Sequence, residues 1–161
     1  KNYMELVEQK SQQIKVLTDC LLDGGNRQLE QFENGRFLME QLVDECIFGL
    51  EDVYDCQVNL EKCPSFSGKF DVQELRRIFD NLASNIHKYA DERFPICFSV
   101  EEKEGRICLV QSNVCKKLST PVESTKIGLD SMKKIAAHYG GDIKVKQTEQ
   151  DFLIAITLCK V

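Results

Sequence analysis

Phe70 to Asp91 reads FDVQELRRIFDNLASNIHKYAD, and the interpretation of this stretch decides the fold. Asp71 is a good N-cap, and Glu74 sits three residues on, where it can complete a capping box. Val72, Leu75, Phe79, Leu82, Ile86 and Tyr89 recur at spacings of three and four, the apolar stripe of an amphipathic helix. Beside that stripe run Asn81, Asn85 and Lys88, at i, i+4 and i+7. Asparagine is a mediocre mid-helix residue, so two of them on one line ask for a reason. Carboxamide oxygens can ligate a hard cation, and a lysine meets a phosphate as a point charge. The bland alternative is a solvated face carrying two asparagines by chance; the alignment with a lysine favours function.

Composition bounds what surrounds this helix. At 161 residues the chain can build one domain with an appendage. An apolar fraction of 42% with 29% charged residues is ordinary for a soluble globular protein. The net charge of −5 supplies no basic field for nucleic acid or an anionic membrane. No apolar run approaches the roughly 20 residues that span a bilayer. The sequence opens in helical pattern without an initiator Met, so a fragment of a longer protein is expected, with room for a membrane segment upstream. Eight cysteines (Cys20, Cys46, Cys56, Cys63, Cys97, Cys108, Cys115 and Cys159) lie in mostly apolar patterns without a C-x-x-C pair. With only two histidines available, zinc-site spacing is absent, and the cysteines read as reduced small hydrophobes of a cytosolic protein.

Outward from the central helix, Tyr3, Val7, Ile14, Leu17 and Leu21 keep a four–three rhythm that predicts one long bundle helix, stopped by Gly24-Gly25. A short strand is expected within Arg27 to Phe32, a turn at Asn34-Gly35, and a second helix from Phe37 to about Tyr54. Cys56 to Leu60 and Ser65 to Phe70 read as short strands. Behind the central helix, Phe94, Ile96, Phe98 and Val100 alternate as a half-buried strand, and Arg106 to Gln111 returns after Glu104-Gly105. Ser112 to Thr125 is expected to be a polar loop. Leu129, Met132, Ile135, Ala136 and Tyr139 mark a last helix ended by Gly140-Gly141, and Ile143 to Lys146 with Phe152 to Leu158 close the chain as a hairpin. Helices alternating with antiparallel hairpins predict an α+β fold. Its form is a two-layer α/β sandwich: a mixed, mostly antiparallel sheet with three helices on one face, preceded by the long bundle helix.

That order, with an N-x-x-x-N helix in the middle, resembles the ATP-binding domain of sensor histidine kinases, members of the GHKL ATPases with the Bergerat fold. The resemblance divides the chain into 1–23, the second helix of a dimerisation and histidine-phosphotransfer hairpin, and 24–161, the catalytic ATP-binding domain. It implies that Asn85 ligates the magnesium of Mg-ATP, with Asn81, Lys88 and Tyr89 lining the phosphate and nucleotide side. Ser124-Thr125-Lys126-Ile127-Gly128-Leu129 falls at the family's G-T-G-L-G-L box, which implies nucleotide contacts from Thr125, Lys126, Ile127, Gly128 and Leu129. A loop feeding a helix whose free N–H groups face an anion fits that role independently. His138 reads as a helix-end residue, and neither histidine matches the phosphoacceptor, which the family carries on a helix upstream of this sequence.

Two positions depart from the family. Its aspartate and glycines that admit adenine are replaced by Ser112-Asn113-Val114-Cys115, so Ser112 or Asn113 is left as the weaker acceptor. The segment over the nucleotide is short, and its glycine box has lost glycines to Ser124 and Lys126. Two functions are therefore carried. The first is a sensor histidine kinase core passing the γ-phosphoryl group to an upstream histidine and on to a response regulator receiver domain. The second is a degenerate Bergerat domain serving as a dimeric signalling scaffold. Both imply a homodimer through the bundle helices, no nucleic acid, and a cytoplasmic domain of a membrane-anchored sensor.

Overall fold

The structure is a computed structural model that describes residues 27–117 and 126–160; the bundle helix expected over 1–23 lies outside them. The described chain runs β1 (Glu30–Phe32), α1 (Gly35–Phe48), β2 (Cys56–Asn59), β3 (Gly68–Phe70), α2 (Val72–Tyr89), β4 (Ile96–Lys103), β5 (Arg106–Val114), α3 (Lys126–His138), β6 (Asp142–Gln147) and β7 (Asp151–Cys159). Five strands form one sheet in the order β2-β4-β5-β7-β6, with β2 parallel to β4 and the other pairs antiparallel. β1 and β3 make a separate antiparallel ribbon.

One sheet face is apolar and the helices cover it. Ile96, Phe98 and Val100 of β4, Ile107 and Leu109 of β5, and Ile154, Ile156 and Leu158 of β7 are buried in one core with Leu82 and Ile86 of α2 and Met132 and Ile135 of α3. Each such side chain contributes roughly 1.5–3 kcal/mol on burial. The opposite parity, Cys97, Ser99, Val110 and Ser112, lies half-buried on the other face, giving the expected two layers.

Asn34-Gly35 begins a helix where a turn was expected. Asn34 Oδ1 accepts the Phe37 N–H at 3.0 Å as an N-cap, and Gly35 donates its N–H to the Phe66 carbonyl at 2.6 Å. A Cβ on Gly35 would run into the Phe66 ring, so only glycine lets the helix start against that side chain.

The capping box expected at α2 is half made. Asp71 Oδ1 accepts from the N–H groups of Gln73 at 2.9 Å and Glu74 at 3.3 Å. Glu74 does not reach back, because Asp71 donates its own N–H to the Tyr139 hydroxyl at 2.8 Å. The fully buried Glu74 carboxylate instead accepts from Arg27 Nε at 2.8 Å and meets His138 Nδ1 at 2.6 Å. Arg27 also lies over the Tyr139 ring, 4.5 Å from its centroid, and burial raises the pKa of the Tyr139 hydroxyl. The start of α2 and the end of α3 are thus tied together by hydrogen bonds as well as by apolar packing.

Candidate functional site

The other end of α2 is fastened to the sheet. Ala90 turns extended, with φ −75° and ψ 139°, and bridges Cys115. Asp91 donates its N–H to the Val114 carbonyl at 2.8 Å, and Lys116 donates its N–H to the Tyr89 carbonyl at 2.8 Å. These bonds bring the last turns of α2 against the end of β5, so side chains from a helix and a strand meet at one edge of the core.

On α2 the polar stripe is graded. Asn85 is only 7% exposed, Asn81 is half-buried and Lys88 is exposed. Neither the Asn85 nor the Asn81 carboxamide hydrogen-bonds another described residue. No Asn85 atom is among the fully buried polar atoms that lack a partner, so its carboxamide keeps some contact with solvent and is accessible to a ligand. Among the described residues no three His, Cys, Asp or Glu side chains are gathered to hold a metal. A cation here would rest on amide oxygen and on oxygens brought by its ligand, a donor set that suits a hard divalent ion.

β5 runs on past Gln111 through Ser112, Asn113 and Val114, which pair with Leu153, Phe152 and Asp151 of β7, so the polar loop begins later than expected. Polar residues ended the strand in the sequence reading, but their backbones are satisfied by β7. Strand alternation then separates the two candidate base acceptors. Asn113 faces the helical layer and is 8% exposed. Ser112 faces the open side, where it lines a groove of about 400 Å³ with Gln57, Asn59, Cys97 and Ser99. The structure sets Asn81, Asn85 and Lys88 along one helix, joins the backbone at Tyr89 to the end of β5 through Lys116, and turns Asn113 to the helical layer and Ser112 to the far face.

Lys126, Ile127, Gly128 and Leu129 form the first turn of α3, where backbone N–H groups have no partner within the helix; Thr125 lies outside the described residues. One buried polar residue was missed. Gln111, next to Asn113 on the inward face, is fully buried and donates Nε2 to Asn113 Oδ1 at 2.9 Å. Its signal was present in the sequence, since Gln111 shares the parity of Ile107 and Leu109.

The family model of the GHKL domain matches residues 71–159, from the N-cap of α2 to the end of β7. No curated protein sequence matches the chain. The fold is similar to that of the histidine kinase AdeS of Acinetobacter baumannii, at 16% identity over 99% of this chain and 86% of that one, with a TM-score of 0.68. The cytoplasmic segment of the histidine kinase QseC is similar at 13% identity, covering 93% of this chain and 95% of that one, with a TM-score of 0.65. The histidine kinase ThkA in complex with the response regulator protein TrrA is similar at 14% identity, covering 100% of this chain and 51% of that one, with a TM-score of 0.59.

Proposed function

The chain belongs to the GHKL domain family, and on that premise we propose that it is the catalytic core of a two-component sensor histidine kinase. It binds Mg-ATP and passes the γ-phosphoryl group to a histidine upstream of Lys1, for relay to a response regulator. The observation that carries this is Asn85, a carboxamide only 7% exposed in the last turns of α2, on one stripe with Asn81 and Lys88.

The division of labour follows from the residues. Asn85 offers an amide oxygen to a magnesium ion, with Asn81 one turn away on the same stripe. When bound, magnesium offsets charge on the phosphate oxygens. Lys88 adds a cation at the exposed end of that stripe. The first N–H groups of α3, from Lys126 to Leu129, and the positive end of its dipole favour an anion. Tyr89 and Asn113 border the base side. Catalysis in such a site is mainly positioning and electrostatic stabilisation, which is what fixed amides and a helix start supply.

A receiver domain as phosphoryl acceptor is supported by ThkA, whose structure holds a response regulator. Pairing of two chains through the 1–23 helix, and a place on the cytoplasmic side of a membrane-anchored sensor, complete the proposal. One observation favours a second reading, a dimeric scaffold without nucleotide: the end of β5 carries amides where a kinase of this kind carries an aspartate.

Titration of the 161-residue chain with a fluorescent ATP analogue, with and without magnesium, separates the two. Saturable binding that magnesium strengthens, and that Asn85→Ala reduces to the magnesium-free level, is expected. No saturable binding up to millimolar nucleotide would leave the scaffold.

A further inference from the structure

The outer face of α1 keeps aromatic side chains in solvent. Phe37, Gln41, Asp44 and Phe48 follow at i, i+4, i+7 and i+11, so they form one line along the helix, and all four are exposed. Leu38, Met39, Leu42, Val43 and Cys46 fill the opposite side and are buried in the core. Phe48 is 81% exposed and Phe37 56%, and Val53, in the turn after α1, is 48% exposed. Single surface apolar residues need no explanation. Two phenylalanines on one helix line, about 16 Å apart by the helical rise, make a pair of anchors instead.

The charge around these anchors has one sign. From Phe37 to Glu61 the chain carries seven carboxylates and no Lys, Arg or His. Arg36 meets Glu40 at 3.6 Å and Arg76 meets Glu45 at 3.5 Å. Asp44, Glu51, Asp52 and Asp55 are exposed and form no ion pair with a described residue. Burial first, and then the Glu51 and Asp55 carboxylates, push the Cys56 thiol up.

We propose that this face is a docking site for a basic amphipathic helix of a partner protein. The apolar side chains of that helix would rest on Phe48 and Phe37, and its lysines and arginines would face Asp44, Glu51 and Asp52. Charge complementarity selects the occupant. A second copy meeting this face with its own would bring like charges together, which costs affinity. Segment 1–23 holds three lysines against four carboxylates, so it has no positive excess to offer. Nucleic acid and anionic lipid are repelled. Aromatic anchors within a charged rim are the ordinary anatomy of a protein contact. α1 packs beside α2, with Cys46 Sγ donating to the Phe79 carbonyl at 3.7 Å, so a partner seated on α1 lies next to the helix that carries Asn81 and Asn85. The inference does not depend on nucleotide binding.

The test measures binding of a fluorescently labelled synthetic helix, with leucines on one face and lysines on the other, to the 161-residue chain. Saturable one-to-one binding that weakens with added salt is expected. Phe48→Ser is expected to lose about tenfold in affinity, the scale of one anchor. A triple variant, Asp44→Asn with Glu51→Gln and Asp52→Asn, should lose at least as much. Glu149→Lys, a charge change at an exposed position in the turn between β6 and β7, is expected to bind within about twofold of the wild type. Wild-type affinity in Phe48→Ser, or an equal loss in Glu149→Lys, would show a response to net charge alone and overturn the site. Absence of saturable binding at low salt overturns it too. A dimer of the chain that Phe48→Ser dissolves would make the occupant a second copy, and the proposal would fall.

Discussion

His138 Nδ1 lies 2.6 Å from Glu74 Oε2, and this contact joins the end of α3 to the first turn of α2 inside the molecule. The other carboxylate oxygen accepts from Arg27 Nε at 2.8 Å, and the Glu74 side chain is 0% exposed. Removing one partner of a buried ionic cluster leaves the others uncompensated, which costs about 3–5 kcal/mol. Glu74→Ala is expected to lose stability on that scale in urea unfolding, and Glu74→Gln part of it. A loss under about 1 kcal/mol would mean that water already compensates the cluster.

The two glycines with the clearest steric contexts should behave differently. A Cβ on Gly141 would run into the carbonyl of Thr157, a backbone obstacle that cannot swing aside. Gly105 has φ +80° but nothing within 4 Å of an added Cβ, so its only requirement is conformational. Gly141→Ala is expected to cost about 3 kcal/mol or more, and Gly105→Ala about 1 kcal/mol. Thermal unfolding of the two variants side by side checks this ranking, and equal losses would contradict the close approach at Gly141.

Acid should expose the role of Asp91. Its carboxylate accepts from Arg93 Nη2 at 2.7 Å and from the Arg93 backbone N–H at 3.0 Å. The Arg93 side chain above all, then its backbone N–H, hold the carboxyl pKa down to about 2. A group depressed in the folded state contributes stability above its ordinary pKa of about 4 and loses it as pH falls towards about 2. Asp91→Asn should therefore flatten the acid limb of the stability curve between those values, with little change in slope near neutrality. Arg93 is largely exposed, so added salt should shrink the difference. An identical acid limb in both proteins would mean that the bond also persists in the unfolded chain.

The layers and most elements were legible in the sequence because periodicity reports burial directly. The α2 stripe appears in the structure as buried Leu75, Phe79, Leu82 and Ile86. Features set by distant partners were not legible. Glu74 fits a capping box locally, yet its partners are Arg27 and His138, far away in the chain. Asn34-Gly35 has turn chemistry, but packing against Phe66 makes it a helix start. At the end of β5, side-chain polarity hid strand pairing supplied by Asp151 to Leu153. The same polarity concealed Gln111, because a polar residue at an inward position reads as a strand end until its neighbour shows it to be core.

That mislaid strand end bears on Ser112, the other acceptor considered for the base. Ser112 pairs with Cys97 and Leu153 across the sheet, and its side chain lies on the face turned away from the helices. A nucleotide held by Asn85 on the helical side would have the sheet between itself and that hydroxyl. Ser112→Ala is therefore expected to change ATP-analogue affinity by less than about twofold, within the spread of a surface substitution. Asn113→Ala, which removes the candidate acceptor that faces the helical layer, should weaken binding by about tenfold, the scale of one lost hydrogen bond near 1.4 kcal/mol. Parallel titrations of the two variants decide the face. A loss confined to Ser112→Ala would put the base in the open groove with Gln57 and Cys97, and the helical side would then be the wrong side of the sheet.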